Sequence, residues 1–561
     1  MNFKILSICT LLILIMPVLF SLQAKTSGKS YTVIYERYED KKPVENDSTI
    51  ITYINNIAWI HRTGESKEKY FIDFNTKNTV EILTSGSKKY KLLTPFDKLP
   101  VPVSFDKETE KILKFKCRKA TYSAFSNKIE VWYTEETTAK GSPALSYFPE
   151  NSLVLKLVVN GNLRTKAVSI KENKEAVMFD YPIDAAKEVS ASEYEEMLIK
   201  SRYTSIQVFD RQKINWQDSI VNPDDFTSEG VYRFGRGNVI LKKVKFPKIS
   251  IAGNVFIKVT AWSNGDAYDR TGTVFMLPKE NEKTLLNALR NGAEGLPEYL
   301  CKSGEKIKGV VRTEKFIPPV ELMRFISSFG VGHFNDKVQI NNYNWNDSVV
   351  YVQDVSSLIP ADQEEIWIGM SIGNYDKGGH KASLELNYYP PEEFYEGSRW
   401  IYPLFNTANC INGSGNHSKM FQQDSLTVEF DLPEDIEKPY LLFTTTGHGG
   451  WGGGDEFNPK MNQVIIDGQT IFSHVPWRTD CATYRMSNPA SGNFPNGLSS
   501  SDFSRSNWCP GAVTPPFFIP LKDIKPGKHT MKIAIDIGKE DGNYWAVSGV
   551  IAGDYKVEEK K

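Results

Sequence analysis

Surplus charge is almost absent from this sequence: 67 lysines and arginines against 68 aspartates and glutamates leave a net charge of -1 over 561 residues. No global field therefore favours nucleic acid or an anionic membrane, and a neutral partner is expected. Fixed-spacing catalytic signatures are missing as well: there is no His-Glu-x-x-His, no Cys-x-x-Cys, no Gly-x-Ser-x-Gly elbow and no Walker loop. The seven histidines (His61, His333, His380, His417, His448, His474, His529) have no ligand spacing. His448 beside Asp455 and Glu456 is the nearest approach to a metal set, and it falls short of the three or more converging ligands such sites need. Neither a metal nor a cofactor is expected. Internal repeats and low-complexity segments are also lacking.

Cysteine is scarce, at six: Cys9, Cys117, Cys301, Cys410, Cys481 and Cys509. Met1 to Lys4 precedes an apolar run from Ile5 through Leu22, which closes on Gln23-Ala24. One early lysine, an apolar stretch and a small final residue mark a secretory leader (residues 1–24), with a retained anchor as the alternative reading. Cys9 precedes most of the apolar run and follows Ile8, which argues against lipidation. Loss of Cys9 with the leader leaves an odd number of cysteines in an oxidising compartment, so at least one thiol is free or pairs between chains.

What is plentiful is aromatic and β-branched sequence. Aromatics make up 12% of the chain, with 11 Trp and 26 Tyr, which suits β-sandwich cores and stacking against sugar faces. Runs such as Tyr31–Tyr35, Val154–Val159, Val255–Trp262, Leu426–Phe430 and Met531–Ile537 read as strands, many alternating apolar and polar residues. Val464–Ile466, Asp467-Gly468 and Gln469–Phe472 read as a hairpin on a primed turn. Helical patterning is confined to a few stretches, such as Ser192–Ser201, Glu280–Arg290 and Val320–Phe329. The length suits about three domains of ~100 to 200 residues. Pro390-Pro391 ends the strand Ser383–Tyr388 and reads as a link. The chain divides into a β-rich domain (25–200) and two sandwiches (201–391 and 392–561).

Three loops could carry chemistry. Gly447-His448-Gly-Gly-Trp451-Gly-Gly-Gly-Asp455-Glu456 formally matches the dinucleotide fingerprint, but Pro459 and a strand follow where that fingerprint needs a helix. It reads either as a loop admitting a ligand close to the backbone, with two carboxylates at its end, or as a plain surface loop. Asn264-Gly-Asp266-Ala-Tyr268-Asp269-Arg270, taken alone, is a solvated acidic turn. Ser501 to Gly511, with Arg505, Trp508 and Cys509, is either a sugar-contacting loop held by a crosslink or a stapled structural loop.

Together these segments resemble the peptide:N-glycosidase F family over roughly Ser205 to Tyr555. The resemblance rests on Leu441–His448, on the Glu456 loop leading into Asn462–Ile466, on Arg505–Gly511, and on Tyr268-Asp269-Arg270 followed by Thr273–Phe275. It implies an all-β fold, two jelly-roll sandwiches side by side with the active site in the cleft between them. It also implies Asp269 as the essential aspartate, Glu456 as the glutamate of the second sandwich and Arg505 as the arginine that contacts substrate. Arg270, Tyr268, His448, Trp451 and Trp508 are the accompanying substrate-binding residues, and Cys481 pairs with Cys509. Two departures stand out: the prototype's further acidic residue has no counterpart in Ile366–Asn374, and the usual tryptophan before the essential aspartate is Tyr268. The first 200 residues resemble the extension of a longer bacterial subgroup.

The resemblance implies a secreted or periplasmic bacterial amidase acting on N-linked glycoproteins or glycopeptides as a monomer, without nucleic acid or a stable membrane anchor. Hydrolysing a carboxamide needs an activated water, relief of charge on the carbonyl oxygen and protonation of a poor nitrogen leaving group. Two carboxyls and an arginine can supply these. The alternatives are a glycoside hydrolase using the same carboxylates, or a non-catalytic glycan-binding sandwich protein that would not need Asp269.

Overall fold

Period-2 patterning becomes one-sided burial along the strands. Asn254–Ser263 and Leu426–Leu432 alternate buried and more exposed positions along their length, each turning one face to a core. Every segment read above as a strand lies in one, although the run to Ile537 stops at Ile535. The Asp467-Gly468 hairpin is present, with φ of 50° and 83° at the two turn residues, the primed geometry that follows strand twist. The protein is described by a computed structural model that covers residues 29–62, 67–174, 177, 179–224, 226–227, 229–278, 284–362, 364–408, 420–421, 425–449, 453–539 and 542–556. The leader read over 1–24, Cys410 and Trp451 lie outside the described residues. Among the described residues no helix is long and apolar enough to cross a membrane.

The chain forms two compact units, 1–201 and 202–561. In the first, twelve strands make one sheet, running from the short edge strand Lys187–Glu188 to the opposite edge Ser104–Ile112. Its core gathers Tyr35, Ile51, Cys117, Tyr122 and Val131. The helix Ala191–Ser201 follows a capping box in which Ser190 Oγ accepts from Glu193 N and the Glu193 carboxylate accepts from Ser190 N.

The second unit holds two sandwiches, and with the first it makes an all-β fold. One pairs a four-stranded sheet (Thr204–Ile214, His380–Tyr389, Asn254–Ser263, Val349–Asp354) with a six-stranded one (Tyr232–Phe234, Val239–Lys245, Glu365–Ile372, Thr271–Leu277, Val320–Ile326, Val513–Thr514) around Ile257, Leu384, Phe325 and Met370. The other packs Arg399–Asn406, Tyr544–Tyr555, Ile436–His448 and Phe517–Pro520 against Leu426–Leu432, Gly527–Ile535, Asn462–Ile466 and Gln469–His474, around Leu441, Phe443, Trp545 and Ile551. Val513–Thr514, from the later part of the chain, completes the six-stranded sheet by pairing with Phe325 and Arg324, and Val550 of the second sandwich enters the first core.

The helical reading of Val320–Phe329 is wrong. Val320–Ile326 is a strand with every residue buried, between Thr271–Leu277 and Val513–Thr514. Its Glu321 and Arg324, spaced like a helical ion pair, are a buried pair inside a strand. Periodicity cannot separate a short buried strand from a helix segment, and burial on both faces removes the alternation. The reading over Glu280–Arg290 survives in part: Leu285–Asn291 is helical, and Thr284 caps it by accepting from Asn287 N.

Candidate active site

The loop after Asn254–Ser263 is stitched down. Ser263 Oγ donates to Asp266 O at 2.6 Å, and Asn264 binds the backbone of Gly378 and Gly379 through its side chain and its N–H. Gly265 sits at φ 131°, where other residues are strained. The solvated-turn reading of this loop fails at Asp266, whose side chain is fully buried. Its carboxylate accepts from Arg270 Nε (2.7 Å) and Nη2 (3.1 Å) and from Tyr268 N (3.0 Å). Asp266 therefore aims Arg270, whose guanidinium lies 5.1 Å from the ring centres of both Tyr268 and Tyr375. Both tyrosines are largely exposed.

The glycine-rich segment begins with two glycines, Gly447 and Gly449, packed closely against protein. A Cβ on Gly447 would meet Trp545 at 2.5 Å, and one on Gly449, at φ 121°, would meet Asn543 Oδ1 at 2.2 Å. Of the two carboxylates after it, Asp455 is fully buried and structural, accepting from both Gly538 N and Trp545 Nε1. Glu456 faces the cleft. The Arg505 loop is fastened alongside: Ser506 N donates to Glu456 O, Ser506 Oγ to Asp455 O, and Gly447 N to Ser506 O. The Cys481–Cys509 disulfide, Cα atoms 5.0 Å apart, closes this region.

Asp269, Arg270, Glu456, His448 and Trp508 converge on one cavity of about 400 Å³ between the sandwiches. Arg505 lies fully buried beside it, held between the rings of Phe457 and Trp508 at 4.7 and 4.6 Å. Its Nη1 is 2.9 Å from Glu456 Oε1 and its Nη2 3.8 Å from Asp269 Oδ2. The Nη1 contact is close enough for an ion pair but is not aligned as a hydrogen bond, and neither Nε nor Nη1 has a hydrogen-bond acceptor among the described residues. Both are buried donors without an acceptor among those residues, beside the cavity wall rather than in it.

Burial pushes Glu456 up to about 7 against the pull of Arg505, with Asp269 adding to the rise. Asp269 is raised by burial too, with Arg505 and Arg270 opposing. Two carboxyls share one guanidinium here, so near neutral pH the cluster favours holding a proton on one of them. His448 stacks between Tyr544 (4.8 Å) and Trp508 (5.4 Å), and burial holds it down to about 3, so the imidazole is neutral.

Sequence reading missed Thr271, Thr273, Ser371, Tyr375 and Tyr544 in the cavity wall. They lie on ordinary strands and connections with no motif to mark them. From the stretch Ile366–Asn374, which carries no carboxylate, Ser371 and Gly373 reach the wall. Among the described residues the one grouping of possible metal ligands is Asp480, Cys481 and Cys509, whose two sulfurs are joined to each other.

A family model described as peptide-N-glycosidase F, N terminal, matches residues 205–388. A second, peptide-N-glycosidase F, C terminal, matches 416–552, and a third, N-glycanase peptide, N-terminal domain, matches 33–196. No curated protein matches the chain. Two solved structures of PNGF-II, in the C2 and P21 space groups, are 36% and 37% identical to it. They cover 95% and 94% of this chain and 99% and 100% of their own, with TM-scores of 0.80 and 0.82. The three-dimensional structure of PNGase F, a glycosylasparaginase from Flavobacterium meningosepticum, is 16% identical over 63% of this chain and 96% of its own, with a TM-score of 0.42. With likeness at that level along nearly its whole length, and with all three parts matched, the chain belongs to the peptide-N-glycosidase F family.

Proposed function

We propose that this member of the family, a peptide-N4-(N-acetyl-beta-glucosaminyl)asparagine amidase, hydrolyses the bond between asparagine and the first N-acetylglucosamine of an N-linked glycan. The intact glycan leaves as a glycosylamine, and asparagine becomes aspartate. The observation carrying this reading is the grouping of Asp269 and Glu456 around buried Arg505, with Glu456 held near 7. Asp269 takes a proton from the attacking water. Arg505, with Nε and Nη1 without acceptors among the described residues and Nη2 donating to Ser500 O, holds the carboxamide and the sugar and relieves charge on the carbonyl oxygen as the tetrahedral intermediate forms. Glu456, protonated, passes its proton to the departing nitrogen. Arg270, Tyr268, His448 and Trp508 line the approach as substrate-binding residues. No cofactor enters any step.

The substrate is an N-linked glycoprotein or glycopeptide, met by a monomer exported on the leader 1–24. Residues 25–200 form the accessory domain, and 201–391 and 392–561 the two sandwiches between which the reaction runs. The decisive experiment is a mass measurement on a defined N-glycopeptide after incubation. An aspartate-containing peptide, together with a free glycan carrying both core N-acetylglucosamines and followed by ammonia, is expected. A peptide that keeps one N-acetylglucosamine on asparagine would make the protein a glycosidase, and binding without product would make it a lectin.

A further inference from the structure

A buried network behind the cleft decides which nitrogen of His448 carries the proton. Glu321 and Arg324 are both buried in the first sandwich and pair through Arg324 Nε (3.0 Å) and Nη2 (2.7 Å), while Thr273 and Ser548 donate hydroxyls to the same carboxylate. The remaining nitrogen, Arg324 Nη1, crosses to the second sandwich and donates to Ala546 O (2.6 Å) and Thr446 Oγ1 (3.1 Å). Thr446 is fully buried, and its Oγ1 lies 2.8 Å from His448 Nε2.

Arginine only donates, so Thr446 Oγ1 accepts from it and has one proton to place. Among the described residues the acceptor within reach is His448 Nε2. Nε2 must therefore hold the lone pair, and the proton of the neutral ring sits on Nδ1. The reverse tautomer would leave the Thr446 proton buried with no acceptor. Tyr544 and Trp508 both stack with the ring and Nε2 is taken, while His448 still forms part of the cavity wall and its Nδ1 has no partner among the described residues.

We propose that His448 is held as the Nδ1–H tautomer by Thr446, Arg324 and Glu321, and that it donates from Nδ1 to a carbonyl oxygen of the bound glycopeptide. This rests on the amidase reading given above. The acceptor is a carbonyl oxygen flanking the linkage, either that of the reacting carboxamide or that of the acetamido group on the first sugar. Thr446, Arg324 and Glu321 act through His448 as positioning residues.

The test begins with nitrogen NMR of protein labelled in histidine, with His448 assigned by its loss in His448→Asn. A protonated Nδ1 and an unprotonated Nε2 are expected at pH 7, retained in Thr446→Ser and shifted toward Nε2 protonation in Thr446→Val. A wild-type ring protonated on Nε2, or on both nitrogens, overturns the assignment whatever the protein hydrolyses. Kinetics locate the acceptor. His448→Asn, whose amide nitrogen falls where Nδ1 was, should outperform His448→Gln, whose loss of kcat/KM should be about tenfold or more. If that loss disappears on a glycopeptide whose linking sugar is glucose, the acetamido carbonyl is the acceptor. If it persists in kcat, the reacting carbonyl is. Full activity of His448→Gln on both substrates refutes the donor role. Failure of the wild type to convert asparagine to aspartate refutes instead the reading beneath it.

Discussion

Asp269→Asn keeps the shape of the side chain and removes the base. A correctly folded protein that binds glycopeptide but turns over at least ~10² to 10⁴-fold more slowly is expected, because general-base catalysis contributes about that much. Turnover under saturating substrate is the measurement, and near wild-type turnover would remove Asp269 from the chemistry. Glu456, at about 7, must carry its proton to act as the acid, so kcat should fall as pH rises through that region, while protonation of Asp269, itself raised by burial, sets the loss of kcat on the acid side. A pH–rate profile checks this, and Glu456→Gln should abolish the high-pH limb together with most of the activity. Asp266 shows where the sequence misleads. Asn-Gly-Asp is ordinary turn vocabulary, and nothing in it says that the carboxylate turns inward to grip Arg270 four residues on. Asp266→Asn should therefore lower stability by about 1.5 to 3 kcal/mol, the range for hydrogen bonds to charged groups, and raise KM through a loosened Arg270. Thermal melts and KM together test this, and a silent substitution would show that Arg270 needs no such anchor.

At the scale of elements, the loop from Cys481 to Cys509 brings Arg505 and Trp508 to the cleft. Removing both cysteines by Cys481→Ser and Cys509→Ser should cost roughly 3 to 4 kcal/mol by the loop-entropy relation, with activity lost on warming before the sandwiches unfold. A melting curve followed in parallel with residual activity tests the order. In the sequence the pairing was legible only through the family resemblance, since cysteine spacing does not choose partners, and the structure contains the bond. Strands with one face to a core were legible because alternation survives in them, as in Asn254–Ser263. Val320–Ile326 was not, because a strand buried on both faces has no alternation to read.

Over the whole molecule, two compact units predict two melting events. Calorimetry should resolve a separate transition for residues up to 201, and a fragment beginning at Arg202 should reproduce the remaining one. A single transition, lost entirely on truncation, would show that the units fold as one. The all-β character could be read from the strand runs. The cleft could not, because its walls combine residues as far apart as Thr271 and Ala546, which nothing in linear order brings together.

The pairing of Val513–Thr514 with Val320–Ile326 bears on how the protein is made. As the chain emerges from a ribosome, the six-stranded sheet of the first sandwich must wait with one edge bare until residues 513 and 514 arrive. An open, apolar edge of this kind invites pairing with other chains. Arg505 and Tyr544 arrive equally late. The cleft is thus assembled only once residues as late as Tyr544 and Ala546 have been delivered, so a chain that stops before them has no competent site.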